Sequence, residues 1–114
     1  MNKLTLSIIL FLFGQVLIWF QTNGQFLWKW FKENPLILSV VGGSIVSYAF
    51  IYATKFAYEH FDGLLWPGRF LGFALGISSY ALLTWWFMGE GISAKTFVSL
   101  ILSAVIISIQ LFWK

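Results

Sequence analysis

Four long apolar stretches, at about 4–20, 36–58, 64–88 and 92–113, take up almost all of this 114-residue chain. A bilayer core of about 30 Å is crossed by a helix of about 20 apolar residues, and each stretch is near that length. The polar breaks between them are short and leave no room for a soluble domain. The expected fold is all-α: one transmembrane domain over 1–114, an integral membrane four-helix bundle with short loops.

Composition agrees. Only 10% of the residues are charged against 60% hydrophobic, where a soluble domain of this size typically carries about 25% charged residues to cover its surface. Lipid is therefore the expected solvent and the lipid bilayer the first partner, in a multi-pass protein of a bacterial inner membrane. The seven basic residues are scattered singly between apolar runs, which suits anchoring at headgroups rather than nucleic-acid binding. Phe26-Leu27-Trp28-Lys29-Trp30-Phe31-Lys32 interleaves aromatics with lysines, the chemistry of an interfacial belt.

The chain has no cysteine and a single histidine, His60, so disulfides and thiolate metal sites are excluded and no metal centre is expected. No nucleophile, base and orienting group share a plausible face, and no phosphate loop occurs; neither an enzyme nor a cofactor is expected. Met1-Asn2-Lys3 before an apolar run has the outline of a signal peptide. That run ends in the bulky Ile18-Trp19-Phe20-Gln21 rather than small residues, so it reads as a retained first span.

Local signals divide the spans. Pro35 and Pro67 suit first helical turns, Glu59-His60-Phe61-Asp62-Gly63 reads as a tight turn, Gly89-Glu90-Gly91 as a break, and Ser93 as an N-cap for the last span. With both termini on one side, Lys3, Lys55, Arg69 and Lys114 face Lys29, Lys32 and Lys95 across the membrane. So small a bias, where a Lys/Arg excess normally sets orientation, means either too few charges to count or insertion both ways, which would permit an antiparallel homodimer.

Gly68-x3-Gly72-x3-Gly76 in the third span puts three glycines on nearly one face, a groove for close approach of another backbone, with Ser79 extending it. In the fourth span Ser99-x3-Ser103 and Ala104-x3-Ser108 suit tight packing, within the chain or between subunits. In the second span Ser44, Tyr48, Tyr52, Lys55 and Glu59 share a face. A polar stripe is unfavourable against lipid, so it is expected to face the interior. Lys55 and Glu59 can pair at i,i+4 as an interfacial ion pair, or line a substrate path. Gln15 is the strongly polar mid-span residue of the first span and is expected either to join helices or to touch a ligand. Gln15, Tyr48, Tyr52 and Trp66 are the candidate substrate-binding set; Gly68, Gly72, Gly76, Ser99 and Ser103 are the candidate packing set.

Ala53-Thr54-Lys55, Trp66-Pro67-Gly68 and Gly89-Glu90 followed by Gly91-Ile92-Ser93 make the chain resemble the drug/metabolite transporter superfamily, in particular its small multidrug resistance members. The resemblance in layout covers essentially the whole chain. It implies that Trp66 matches the family's pocket tryptophan, Gly68 the glycine after it, and Glu90 the acidic or amide residue before the last helix. Gln15 falls where the family carries its proton-binding and substrate-binding glutamate, and Gly63 where it carries a tyrosine. The resemblance thus implies a branch that keeps the architecture and changes or lacks the cargo chemistry.

Three functions are compatible with these features. The first is an oligomeric transporter with a small-molecule cargo and a pocket between the first three spans. The second is a non-transporting subunit or assembly factor of a larger membrane complex. The third is a holin-type pore former, which the flush end at Trp113-Lys114 disfavours, since holins usually carry a charged, disordered tail.

Overall fold

The computed structural model describes residues 2–113, and every regular element among them is helical. Helix α1 covers Lys3–Asn23, and a 3₁₀ turn at Gly24–Phe26 follows it. A short helix, α2, covers Lys29–Glu33. Helix α3 covers Pro35–His60, α4 Trp66–Met88 and α5 Ala94–Phe112; together with α1 these are long and apolar enough to cross a membrane. The sequence boundaries are met to within a few residues. Lys114, counted above among the charges of one side, lies outside the described residues.

The ends form for local reasons. The Asn2 carboxamide oxygen accepts from the Thr5 amide at 2.8 Å and opens α1. The Ser93 hydroxyl accepts from the Thr96 amide at 3.2 Å and opens α5, as expected from sequence. Pro35 and Pro67 occupy first turns, where a missing N–H leaves no helical bond unmade. Gly89 closes α4 with φ 68°, a left-handed cap that glycine adopts without strain.

Helix α1 lies in the middle. It packs along α3 on one side and α4 on the other, and α5 packs along α4. The glycine-bearing third span is not alone at the centre. The centre is shared: α4 receives both α1 and α5, while α1 holds α3 in place. Helix α5 contributes no buried residue.

The α1–α3 seam is made of small residues. Val46, Ala49, Ala53 and Ala57 are the buried positions of α3, at helical spacing, and short side chains let two backbones come close. There the Ser7 hydroxyl, fully buried, donates to the Ala53 carbonyl at 2.8 Å. The Phe50 ring packs on Gly14, which leaves it room. At the far end of the seam the Gln21 amide donates to the Leu38 carbonyl at 3.0 Å. Leu38 begins a π turn, Leu38–Gly42, where the helical bonding register slips by a residue and a side-chain donor from outside is easily accommodated.

Candidate functional site

Helices α3 and α4 meet close to the turn that joins them. A Cβ at Gly68 would stand 2.9 Å from the Ala57 Cβ, so only glycine allows this approach. Beyond that point α1 lies between them, and its side chains enter the glycine face. A Cβ at Gly72 would lie 3.2 Å from the Phe11 ring, and one at Gly76 2.9 Å from the Gln15 carboxamide. The stripe Gly68, Gly72, Gly76 is therefore filled from within the chain, by an alanine, a phenylalanine and a glutamine, rather than by another backbone along its length.

What remains open between α1, α3 and α4 is a groove of about 1100 Å³. Phe11 and Gln15 line it from α1, Phe50 and Thr54 from α3, and Trp66, Arg69, Phe73, Ile77 and Tyr80 are among those from α4. Phe73, Trp66 and Tyr80 are exposed, so the groove opens at the side of the bundle. No aspartate or glutamate lines it. Gln15 Nε2 donates to the Gly72 carbonyl at 3.4 Å, a long bond that still leaves the amide oxygen able to accept. Gln15 thus joins two helices and borders the groove as well.

The four candidate substrate-binding residues divide. Gln15 and Trp66 line the groove; Tyr48 and Tyr52 do not. Both tyrosines stand on the outer face of α3, their ring centroids 5.2 Å apart. The expectation that the polar stripe of the second span faces inward is corrected by the alanines. Small residues give the closer contact with α1, and turning that face inward turns Tyr48 and Tyr52 outward. The suggested Lys55–Glu59 pair is corrected too. Glu59 accepts an ion pair from Lys3 at 3.4 Å, while the Lys55 ammonium lies 5.8 Å from the centres of the Tyr52 and Phe56 rings. Of the serines, Ser103 borders the shallow α4–α5 seam. Ser99 is exposed and donates to its own helix at the Lys95 carbonyl, 3.0 Å away. Glu90 lies in the α4–α5 connection, outside the groove.

Gly63, where the resemblance implied a tyrosine, has φ 83°, and Asp62 before it has φ 57°. Two left-handed residues in succession turn the chain from α3 into α4. A side chain at position 63 would be strained there, so this turn favours glycine.

Sequence reasoning missed Thr54 and Arg69 as groove residues, and Ser7 and Trp19 as the most deeply buried polar and aromatic side chains. A signal was present for two of them, Ser7 and Trp19. Ser7, Phe11, Gln15 and Trp19 recur at intervals of four, a helical face that carries much of the inward contact of α1.

In comparisons with protein-family models, curated proteins and solved structures, nothing matches this chain.

Proposed function

We propose that this chain is a small four-span protein of a bacterial inner membrane, a transporter of the drug/metabolite type that works as an oligomer and takes its cargo in the groove between α1, α3 and α4. The observation that carries the reading is the groove itself. Its volume of about 1100 Å³ is slightly above the usual range for small-molecule sites, about 300–1000 Å³. Its lining is mainly aromatic and aliphatic, with a few polar groups from three different helices. Gln15 and Trp66, the positions the family resemblance singles out, both border it.

Oligomerisation is favoured by what the single chain leaves uncovered. Tyr48, Tyr52 and Lys55 are exposed on α3, and a polar stripe is better accommodated against protein than against hydrocarbon. A second reading, a non-transporting subunit of a larger complex, is favoured by α5, which buries no residue and leaves the face turned away from α4 uncovered.

Single-cysteine variants separate the two, since the chain has no cysteine of its own. In liposomes, Gln15→Cys and Trp66→Cys are expected to react with a membrane-impermeant thiol reagent and to be protected by cargo. Tyr48→Cys is expected to resist the reagent and to cross-link between copies. An inert Gln15→Cys, with Tyr48→Cys cross-linking only to a different protein, would favour the subunit reading.

A further inference from the structure

We infer that the groove takes an anionic amphiphile, its acidic headgroup on the Arg69 guanidinium and its hydrocarbon chain laid along α4 towards Tyr80. This rests on the transporter reading and names the cargo class for the same groove.

Charge points to the headgroup. Arg69 is exposed and borders the groove. Among the described residues the ion pairs are Lys3–Glu59 and Lys29–Glu33, so Arg69 has no acidic partner there. Among the described residues no carboxylate lines the groove, and the guanidinium is the one formal charge in its lining. It repels a quaternary ammonium and presents a planar fork of donors to a carboxylate or phosphate. Arg69 is in the first turns of α4, the depth at which headgroups lie when α4 crosses a bilayer.

Shape points to the chain. Lining residues run along α4 from Trp66 to Tyr80, fourteen residues that rise about 21 Å at 1.5 Å each. Half of a hydrocarbon core of about 30 Å is about 15 Å, the depth one leaflet's acyl chain reaches, so the groove is long enough for such a chain. The charged side chain lies at one end of that path, and beyond it the lining is mainly apolar, with Gln15 and Tyr80 as the polar groups along the way. Arg69 and Thr54 mark the end near the turn, and Phe73 and Ile77 continue away from it. Because Trp66 and Phe73 are exposed, the side of the groove is open, and an amphiphile can slide in from the bilayer with its chain still in apolar surroundings. The chain passes between two apolar surroundings whatever its headgroup, so the headgroup contact is what separates one amphiphile from another.

The test uses the purified full chain in nonionic detergent, with one-to-one adducts measured by native mass spectrometry. The probes are hexadecyl phosphate, hexadecanol as the chain without the charge, hexadecyltrimethylammonium as the opposite charge, and inorganic phosphate as the headgroup alone. Hexadecyl phosphate is expected to bind about ten-fold more tightly than hexadecanol or the ammonium, the size of one charge-assisted contact, with inorganic phosphate weakest. Arg69→Gln should abolish that preference and Arg69→Lys should keep most of it. Ile77→Trp, which fills the groove without altering charge, should weaken all three amphiphiles.

Equal affinity for the three amphiphiles, or a preference that survives Arg69→Gln, overturns the assignment. If affinities are equal but Ile77→Trp still abolishes them, the groove is a binding site and only the headgroup assignment fails. If Ile77→Trp changes nothing, the groove reading fails as well. The wild-type probe series decides the charge question even where a variant does not fold.

Discussion

The Trp19 indole N–H donates to the Thr84 hydroxyl at 3.0 Å, joining the most buried aromatic side chain of α1 to the residue that begins the π turn Thr84–Met88 of α4. The Trp19 ring also packs 5.7 Å from that of Phe87 in the same turn. One residue thus holds α1 to α4 at the end away from the α3–α4 turn, where Gly68 and Ala57 do the same for α3 and α4.

Removing that hydroxyl tests the link. Thr84→Val keeps the shape and leaves the indole without a partner. The expected loss is about 0.6 kcal/mol and at most about 1.7, the range for side-chain bonds between helices in lipid. Unfolding in mixed micelles measures it. A double-mutant cycle with Trp19→Phe should show that the two changes are not additive.

Gly72 and Gly91 make a contrasting pair. A Cβ at Gly72 would press on the Phe11 ring, whereas one at Gly91 would meet nothing within 4 Å. Gly72→Leu is expected to prevent folding or assembly, because a branched side chain drives α4 away from α1. Gly91→Ala should behave like wild type. The two are compared by thermal stability in detergent; a stable Gly72→Leu would mean the glycine face is not a packing face.

A tyrosine at position 63 is a test of the turn. Gly63→Tyr places a bulky residue at φ 83°, where a side chain costs about 1–2 kcal/mol. Lower stability than Gly63→Asn, which tolerates the left-handed region better, is the expected order. Equal stability of the two variants would show that the turn rearranges.

Coupling is the fourth prediction. A carboxylate among apolar helices can take and release a proton near neutral pH, because desolvation raises its pKa. Gln15 cannot do this, and no acidic residue lines the groove. Any transport is therefore expected not to be driven by a proton at position 15, and the protein should give little or no resistance to cationic drugs. In proteoliposomes, gradient-dependent movement of a quaternary ammonium that is lost on changing Gln15 would contradict this.

Much of the architecture could be read from hydropathy and punctuation. Four spans, prolines in first turns, Ser93 as a cap and the break at Gly89 are local features, and neighbours in sequence suffice to produce them. The site was read only in part. Gln15 stood out as a mid-span amide and Trp66 through a short motif, and both border the groove. Tyr48 and Tyr52 were placed there by the rule that polar stripes face inward, and that rule lost to the alanines on the opposite face of α3.

Sequence by itself determined that this chain is helical, how many times it can cross a membrane and where each helix stops, because those properties follow from residue length, apolarity and capping within a few positions. Tertiary structure alone decided which face of each helix turns inward. The polar face of α3 was the one expected inward, and the opposite face took its place because α1 can approach Ala49, Ala53 and Ala57 closely. The same packing brings Arg69, Thr54 and Gln15 to one groove. They come from three helices, and no spacing along the chain relates them.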